Sequence, residues 1–180
     1  MDVVEERAAR VLERVPAWLW DGETLPVPVE DIADSVFGLL VRDVTDMAAA
    51  PGAPELRPGQ ELSGLLLATR GEIWVNALEA RTWPTRRRFT IGHELGHWEM
   101  HRDGQTALFC RSTTVDEDQR AAVADLEEEA SHFAAALLMP QWLMVREHAR
   151  AGGELDPMCK TFRTSGVAMS RRMADLFGPT

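Results

Sequence analysis

The chain has 180 residues, 45% hydrophobic and 27% charged, the balance of a folded globular domain rather than a disordered or fibrous chain. Its net charge of −10 argues against binding nucleic acid through a broad surface, because phosphate contacts need a basic face. Two cysteines are too few for a disulfide scaffold and fit a reducing compartment. The acidic start, Met1-Asp2-Val3-Val4-Glu5-Glu6-Arg7, has no apolar signal-peptide core, and no stretch is long and apolar enough to span a membrane. A single cytoplasmic domain over residues 1–180 is expected.

Residues 3–15 place Val4, Ala8, Val11, Leu12 and Val15 at helical spacing ahead of Pro16, which predicts an amphipathic helix. A second helix is expected after Pro28, with Ile32, Ala33, Val36 and Phe37 apolar and Gly38 as its end. Leu39 to Val44 reads as a short strand, and 47–59, rich in alanine, proline and glycine, as a loop. Leu62 to Thr69 and Glu72 to Asn76 read as strands joined in a hairpin at Arg70-Gly71.

The next helix should run from about Thr85 to His101, closed by Gly104. Gly92 and Gly96 inside it each cost about 1 kcal/mol relative to alanine, so they point to a close neighbouring backbone and a buried helix. A polar loop through Ser112-Thr113-Thr114 leads to a helix from about Asp118 to Met139, stopped by Pro140. Gln141 to Ala151 is a shorter helix, Gly152-Gly153 a break, and Met158 to Phe177 two small helices around Ser165-Gly166. The six tryptophans are assigned to the core and its borders.

Chemistry enters at His93-Glu94-Leu95-Gly96-His97, which reads H-E-x-x-H inside the helix over 85–101. Residues four apart on a helix differ by about 40° around its axis, so both imidazoles point the same way. Two such histidines make half of a tetrahedral zinc site, with Glu94 beside it as a carboxylate base. Zinc lowers the pKa of a water it binds to about 7, and the glutamate takes the proton as that water attacks a carbonyl. The pattern also arises by chance, so its surroundings decide.

A catalytic zinc site needs a third protein ligand. The candidates are His101, Cys110 and the run Glu127-Glu128-Glu129. His101 lies about 80° around the axis from His93 and roughly 12 Å along it, too far to converge on one ion. Its blander role is a helix-end histidine bonded to the last carbonyls. A glutamate from a second helix fits better, as in the thermolysin class. Glu127 has Ser131 one turn later, a hydroxyl able to bond a ligating imidazole. Glu129 has Phe133 there instead, which puts it near the apolar stripe Leu126-Phe133-Leu137, while Glu128 faces solvent.

Arg88-Phe89-Thr90-Ile91-Gly92-His93-Glu94-Leu95-Gly96-His97, followed by Glu127-Glu128-Glu129-Ala130-Ser131-His132-Phe133-Ala134-Ala135-Ala136-Leu137-Leu138-Met139-Pro140, resembles the ImmA/IrrE family of metallopeptidases. That family shows R-F-T-x-x-H-E-x-x-H and then E-x-x-A-[N/D]-x-F-A-x-x-L-L-M-P. The likeness extends upstream to Leu62-Ser63-Gly64 and Ile73-Trp74-Val75-Asn76, and downstream to Phe162, Ser165, Ala168, Met169, Arg172 and Met173. The resemblance implies zinc held by His93, His97 and Glu127, with Glu94 as the catalytic base. It also implies a protein substrate, a transcriptional repressor or other regulatory partner. One departure stands out: Ser131 replaces the usual Asn or Asp, a shorter partner that would hold a ligating histidine less firmly.

Further features are weighed beside these. Glu72 to Asn76 is either a sheet edge on which an extended substrate pairs or a core strand. Arg81, Arg86, Arg87 and Arg88 form a basic cluster that either attracts an acidic partner or is salt-bridged at the surface. With no tyrosine in the chain, an oxyanion donor must come from His132, His148 or an arginine. His132 lies about 140° from Glu127 around its helix and should point away from the metal. Thr164 to Arg172 faintly resembles a helix-turn-helix but falls within the peptidase likeness.

The reading is an α+β, zincin-like domain: a small, mostly antiparallel sheet on the active-site helix, with N-terminal helices and hairpin over 1–84. The helix over 85–101 carries H-E-x-x-H, a helix over about 118–139 carries the third ligand, and C-terminal helices fill 140–180. Its expected activity is zinc-dependent cleavage of a peptide bond in a regulatory protein. The alternative is a metal-stabilised binding module, regulatory or one half of a toxin–antitoxin pair, that does not cut.

Overall fold

Asp2 accepts a hydrogen bond from the backbone N–H of Val4 at 3.4 Å and opens α1 (Val3–Glu13), which buries Val4, Ala8, Val11 and Leu12. The computed structural model describes residues 2–50, 53, 62–101 and 117–178, with 117–122 as backbone alone. Gly104, Cys110 and the Ser112 to Thr114 loop lie outside the described residues. So does most of the loop expected over 47–59, which begins with a 3-10 turn at Met47–Ala49.

α2 (Val29–Phe37) ends at Gly38, where φ is 66°, a conformation that costs glycine little. β1 (Leu40–Val44), β2 (Gly64–Leu67) and β3 (Glu72–Asn76) form a three-stranded sheet in the order β1-β3-β2. β2 and β3 make the expected antiparallel hairpin, with Leu66 opposite Ile73. β1 pairs with β3 in parallel, Val41 opposite Ile73, so the sheet is mixed. Alternation then splits its faces. Ile73 and Val75 enter the main core, while Leu65 and Leu67 pack on Met47 and Ala50 in a smaller cluster.

This order decides between the two readings of Glu72 to Asn76. Glu72 to Asn76 is the central strand, paired on both sides, so it offers no edge to a substrate. β2 is the end strand, and it lies against the H-E-x-x-H helix.

A short helix absent from the sequence reading, α3 (Ala77–Thr82), follows β3 directly. Asn76 caps it: its side-chain oxygen accepts from the N–H groups of Leu78 at 3.0 Å and Glu79 at 3.3 Å, while its Nδ2 donates to the Leu62 carbonyl. The Asn-x-x-Glu pattern of a helix start was present there. Asn76→Ala should cost about 1 kcal/mol of stability, seen as a lower midpoint of thermal unfolding; an unchanged midpoint would mean the junction is held by other contacts.

α4 (Pro84–His101) and α5 (Glu117–Leu138) form the most extensive helix pair. The glycines explain it. A Cβ at Gly96 would lie 2.9 Å from Cα of Ala130, and one at Gly92 would lie 3.3 Å from Cβ of Ala134. That pairing makes the two helices antiparallel and brings their backbones close. α5 also packs on α1, and Phe133, Leu137 and Leu138 are fully buried.

α6 (Gln141–Ala151), α7 (Leu155–Phe162) and α8 (Gly166–Phe177) follow, with Ser165 capping α8 through the Ala168 N–H at 3.2 Å. Arg172 of α8 is buried, donates to the Met139 carbonyl at 3.0 Å, and pairs with Glu5 of α1. The tryptophans divide: Trp20 is buried, but Trp18, Trp83 and Trp142 are exposed. Among the described residues, no helix is long and apolar enough to cross a membrane.

Candidate metal centre

His93 and His97 sit one turn apart on α4, and Glu127 faces them from α5. His93 Nε2 lies 3.1 Å from Glu127 Oε2, His97 Nε2 lies 3.2 Å from Glu127 Oε1, and the two Nε2 atoms are 3.0 Å apart. A ring nitrogen carries at most one hydrogen, so the three edges of this triangle cannot all be hydrogen bonds. The edge of a zinc tetrahedron with ligands at about 2.0–2.1 Å is about 3.3–3.4 Å. The observed triangle is within a few tenths of that size. Two imidazoles and one carboxylate are a zinc donor set, so the residues fit the ion.

Glu94 stands beside the two histidines on α4 and points toward β2. A Cβ at Gly64 would lie 2.7 Å from Glu94 Oε1 and 2.4 Å from Thr90 Cγ2, so only glycine lets the strand approach. Burial pushes the Glu94 carboxyl above its ordinary pKa. The positive fields of His93 and His97 and a backbone hydrogen bond from Leu66 pull the other way without reversing it. For His93, burial opposes the charged imidazole, but the hydrogen bond to Glu127 and the nearby charges of Glu94 and Glu127 win, and its pKa is raised.

Ser131 Oγ is 3.2 Å from His93 Nδ1, so the short side chain reaches the imidazole that the family's Asn or Asp would meet. Glu129 is exposed rather than set in the apolar stripe, because its long side chain carries the carboxylate out to His101 Nε2 at 3.0 Å. His101 correspondingly bonds side chains and not the last carbonyls of α4: its Nδ1 is 3.2 Å from His97 Nδ1. Glu128 is exposed, as its spacing suggested.

Neither expected oxyanion histidine joins the triangle. His132 faces Asp2 at 3.3 Å and Glu5 at 3.7 Å on α1, and His148 stacks on Phe177 at 4.0 Å. Three of the four clustered arginines are engaged in structure. Arg87 bonds Glu30 and Asp43, Arg86 bonds Glu79 and Ser63, and Arg88 donates to the Val27 carbonyl at 2.7 Å. The Arg87 hydrogen bond holds the Glu30 carboxyl below the usual range, and burial lowers Arg88 to about 10. A cleft of about 1180 Å³ opens beside Ser131, with Trp83, Phe89, His132 and Arg171 among its walls.

Two features here escaped the sequence reading. Gly64 sits against Glu94, and a glycine inside a strand pattern is the signal that marks such approaches. The bond between His101 and Glu129 joins two helices, and no local spacing announces it.

A small mixed sheet laid on a helix with two inward histidines, completed by a glutamate from a second helix, is the zincin arrangement of α+β metallopeptidases. The sequence profile of the IrrE N-terminal-like domain, peptidase family M78, matches residues 57–173, and the chain belongs to that family. No curated protein matches it. Among solved structures it is similar to a Mycobacterium tuberculosis transcriptional regulator, with a TM-score of 0.63 and 15% identity. That match covers 97% of this chain and 47% of the regulator, so this chain spans about half the length of its structural neighbour.

Proposed function

We propose that the chain is a zinc-dependent endopeptidase that cleaves one regulatory protein, a transcriptional repressor, in the cytoplasm. The observation that carries this reading is the 3.0–3.2 Å triangle of His93, His97 and Glu127 with the buried Glu94 adjoining it. His93, His97 and Glu127 hold the ion. When bound, zinc supplies Lewis-acid activation of water and of the scissile carbonyl. Glu94 takes the proton of the attacking water and passes it to the leaving amine.

The end strand β2 runs beside Glu94 and offers backbone groups to an extended substrate, which gives grip with little sequence preference. Selectivity for one regulator then comes from side-chain contacts along this surface.

A second reading keeps the metal without the cut. It is favoured by the placement of His132 and His148, which leaves the expected oxyanion donor unassigned. One experiment separates the two. Zinc-loaded Glu94→Gln protein serves as bait in lysate of the source cell, and the captured proteins are then incubated with wild type. A partner cut at one site by wild type and spared by the variant identifies the peptidase and its substrate. A partner bound by both and cut by neither replaces this reading with a binding module.

A further inference from the structure

We propose that His101 and Glu129 are positioning residues that fix His97 in the one tautomer able to bind metal. The inference rests on the reading of His93, His97 and Glu127 as a metal site. His97 turns Nε2 to the triangle, and its far nitrogen, Nδ1, lies 3.2 Å from Nδ1 of His101. The other nitrogen of His101, Nε2, lies 3.0 Å from Glu129 Oε2.

The hydrogens follow from what each group can do. A carboxylate only accepts, and a neutral imidazole has one N–H and one bare nitrogen. Glu129 therefore places the hydrogen of His101 on Nε2, which leaves Nδ1 of His101 bare. That bare nitrogen accepts from His97, so the hydrogen of His97 is on Nδ1. His97 Nε2 is then left with its lone pair facing the triangle, the form a metal ligand needs. One carboxylate on α5 thus sets the tautomer of a ring two partners away on α4.

The two candidate ligands differ in this respect. His93 Nδ1 meets the Ser131 hydroxyl at 3.2 Å, and a hydroxyl can donate or accept, so Ser131 tolerates either tautomer. The Glu129–His101 chain permits one. A helix-end histidine in a plain ion pair would have no reason to bring its second nitrogen onto His97. The side chain of His101 is only 6% exposed and that of Glu129 is 49% exposed, so the chain runs inward from the surface to the site.

The test is zinc affinity, measured by competition with a chromophoric chelator, with circular dichroism of the metal-free proteins as the check on folding. Ligand-orienting partners typically contribute 10–100-fold in affinity, so His101→Ala should bind zinc about tenfold or more weakly. His101→Gln offers an amide oxygen to the same His97 Nδ1–H and should recover most of the loss. Glu129→Ala should weaken binding in the same direction, and its exposed position keeps the test decisive if His101→Ala does not fold. Wild-type affinity in a folded His101→Ala or Glu129→Ala protein overturns the inference and leaves the metal site standing. A wild type that binds no zinc, or a His93→Ala protein that binds as wild type does, overturns the metal site and the inference together.

Discussion

Glu94→Gln is expected to lower kcat/KM for the captured substrate by about 10²–10⁴, the usual contribution of a positioned general base. Zinc content should stay at the wild-type level, because Glu94 is not one of the three converging groups. Glutamine keeps the shape that fits between Gly64 and α4, so lost packing cannot explain lost turnover. The variant should also unfold at a temperature no lower than wild type in the metal-free state. Glu94 is 8% exposed and burial raises its pKa, which means the charged form is disfavoured there, and the amide carries no charge. Reduced turnover with undiminished stability marks a residue kept for chemistry. Turnover unchanged in the variant would remove Glu94 from the mechanism.

What the sequence disclosed about this centre follows from the range of the interactions involved. The convergence of His93 and His97 is a property of one helix turn and could be read without any fold. The closeness of α4 to its neighbour was readable too, since Gly92 and Gly96 carry a propensity cost that only a tight contact would retain. Glu127 could be singled out from Glu128 and Glu129 because Ser131 stands one turn beyond it and because the family pattern agrees. The sheet order was out of reach, since the parallel pairing of β1 with β3 joins segments separated by β2 and depends on the whole core. That is why Glu72 to Asn76 stayed open between an edge and a core strand. Glu129 shows the same limit at one residue. Its spacing places Cβ near the apolar stripe, but a flexible side chain meets whatever partner the next helix presents, here His101.

Gly96→Ala is expected to destabilise the protein and to weaken zinc binding at the same time. In an isolated helix this change would stabilise by about 1 kcal/mol. Here the added Cβ falls 2.9 Å from both Cα and the carbonyl oxygen of Ala130, which are backbone atoms that no rotamer change can clear. The seam between α4 and α5 must widen, an overpacking cost of about 1–3 kcal/mol that exceeds the propensity gain. The same widening separates His97, the next residue on α4, from Glu127, three residues before Ala130 on α5, so the 3.2 Å contact between them lengthens. Gly92→Ala supplies the contrast. Its Cβ would meet the Ala134 Cβ at 3.3 Å, a contact relieved by a shift of a few tenths of an ångström, and its effect on stability should be the smaller. Thermal unfolding with and without zinc measures both quantities for both variants. If Gly96→Ala melted above wild type and bound zinc equally well, the close approach of the two helices could not be what sets the spacing of the metal site.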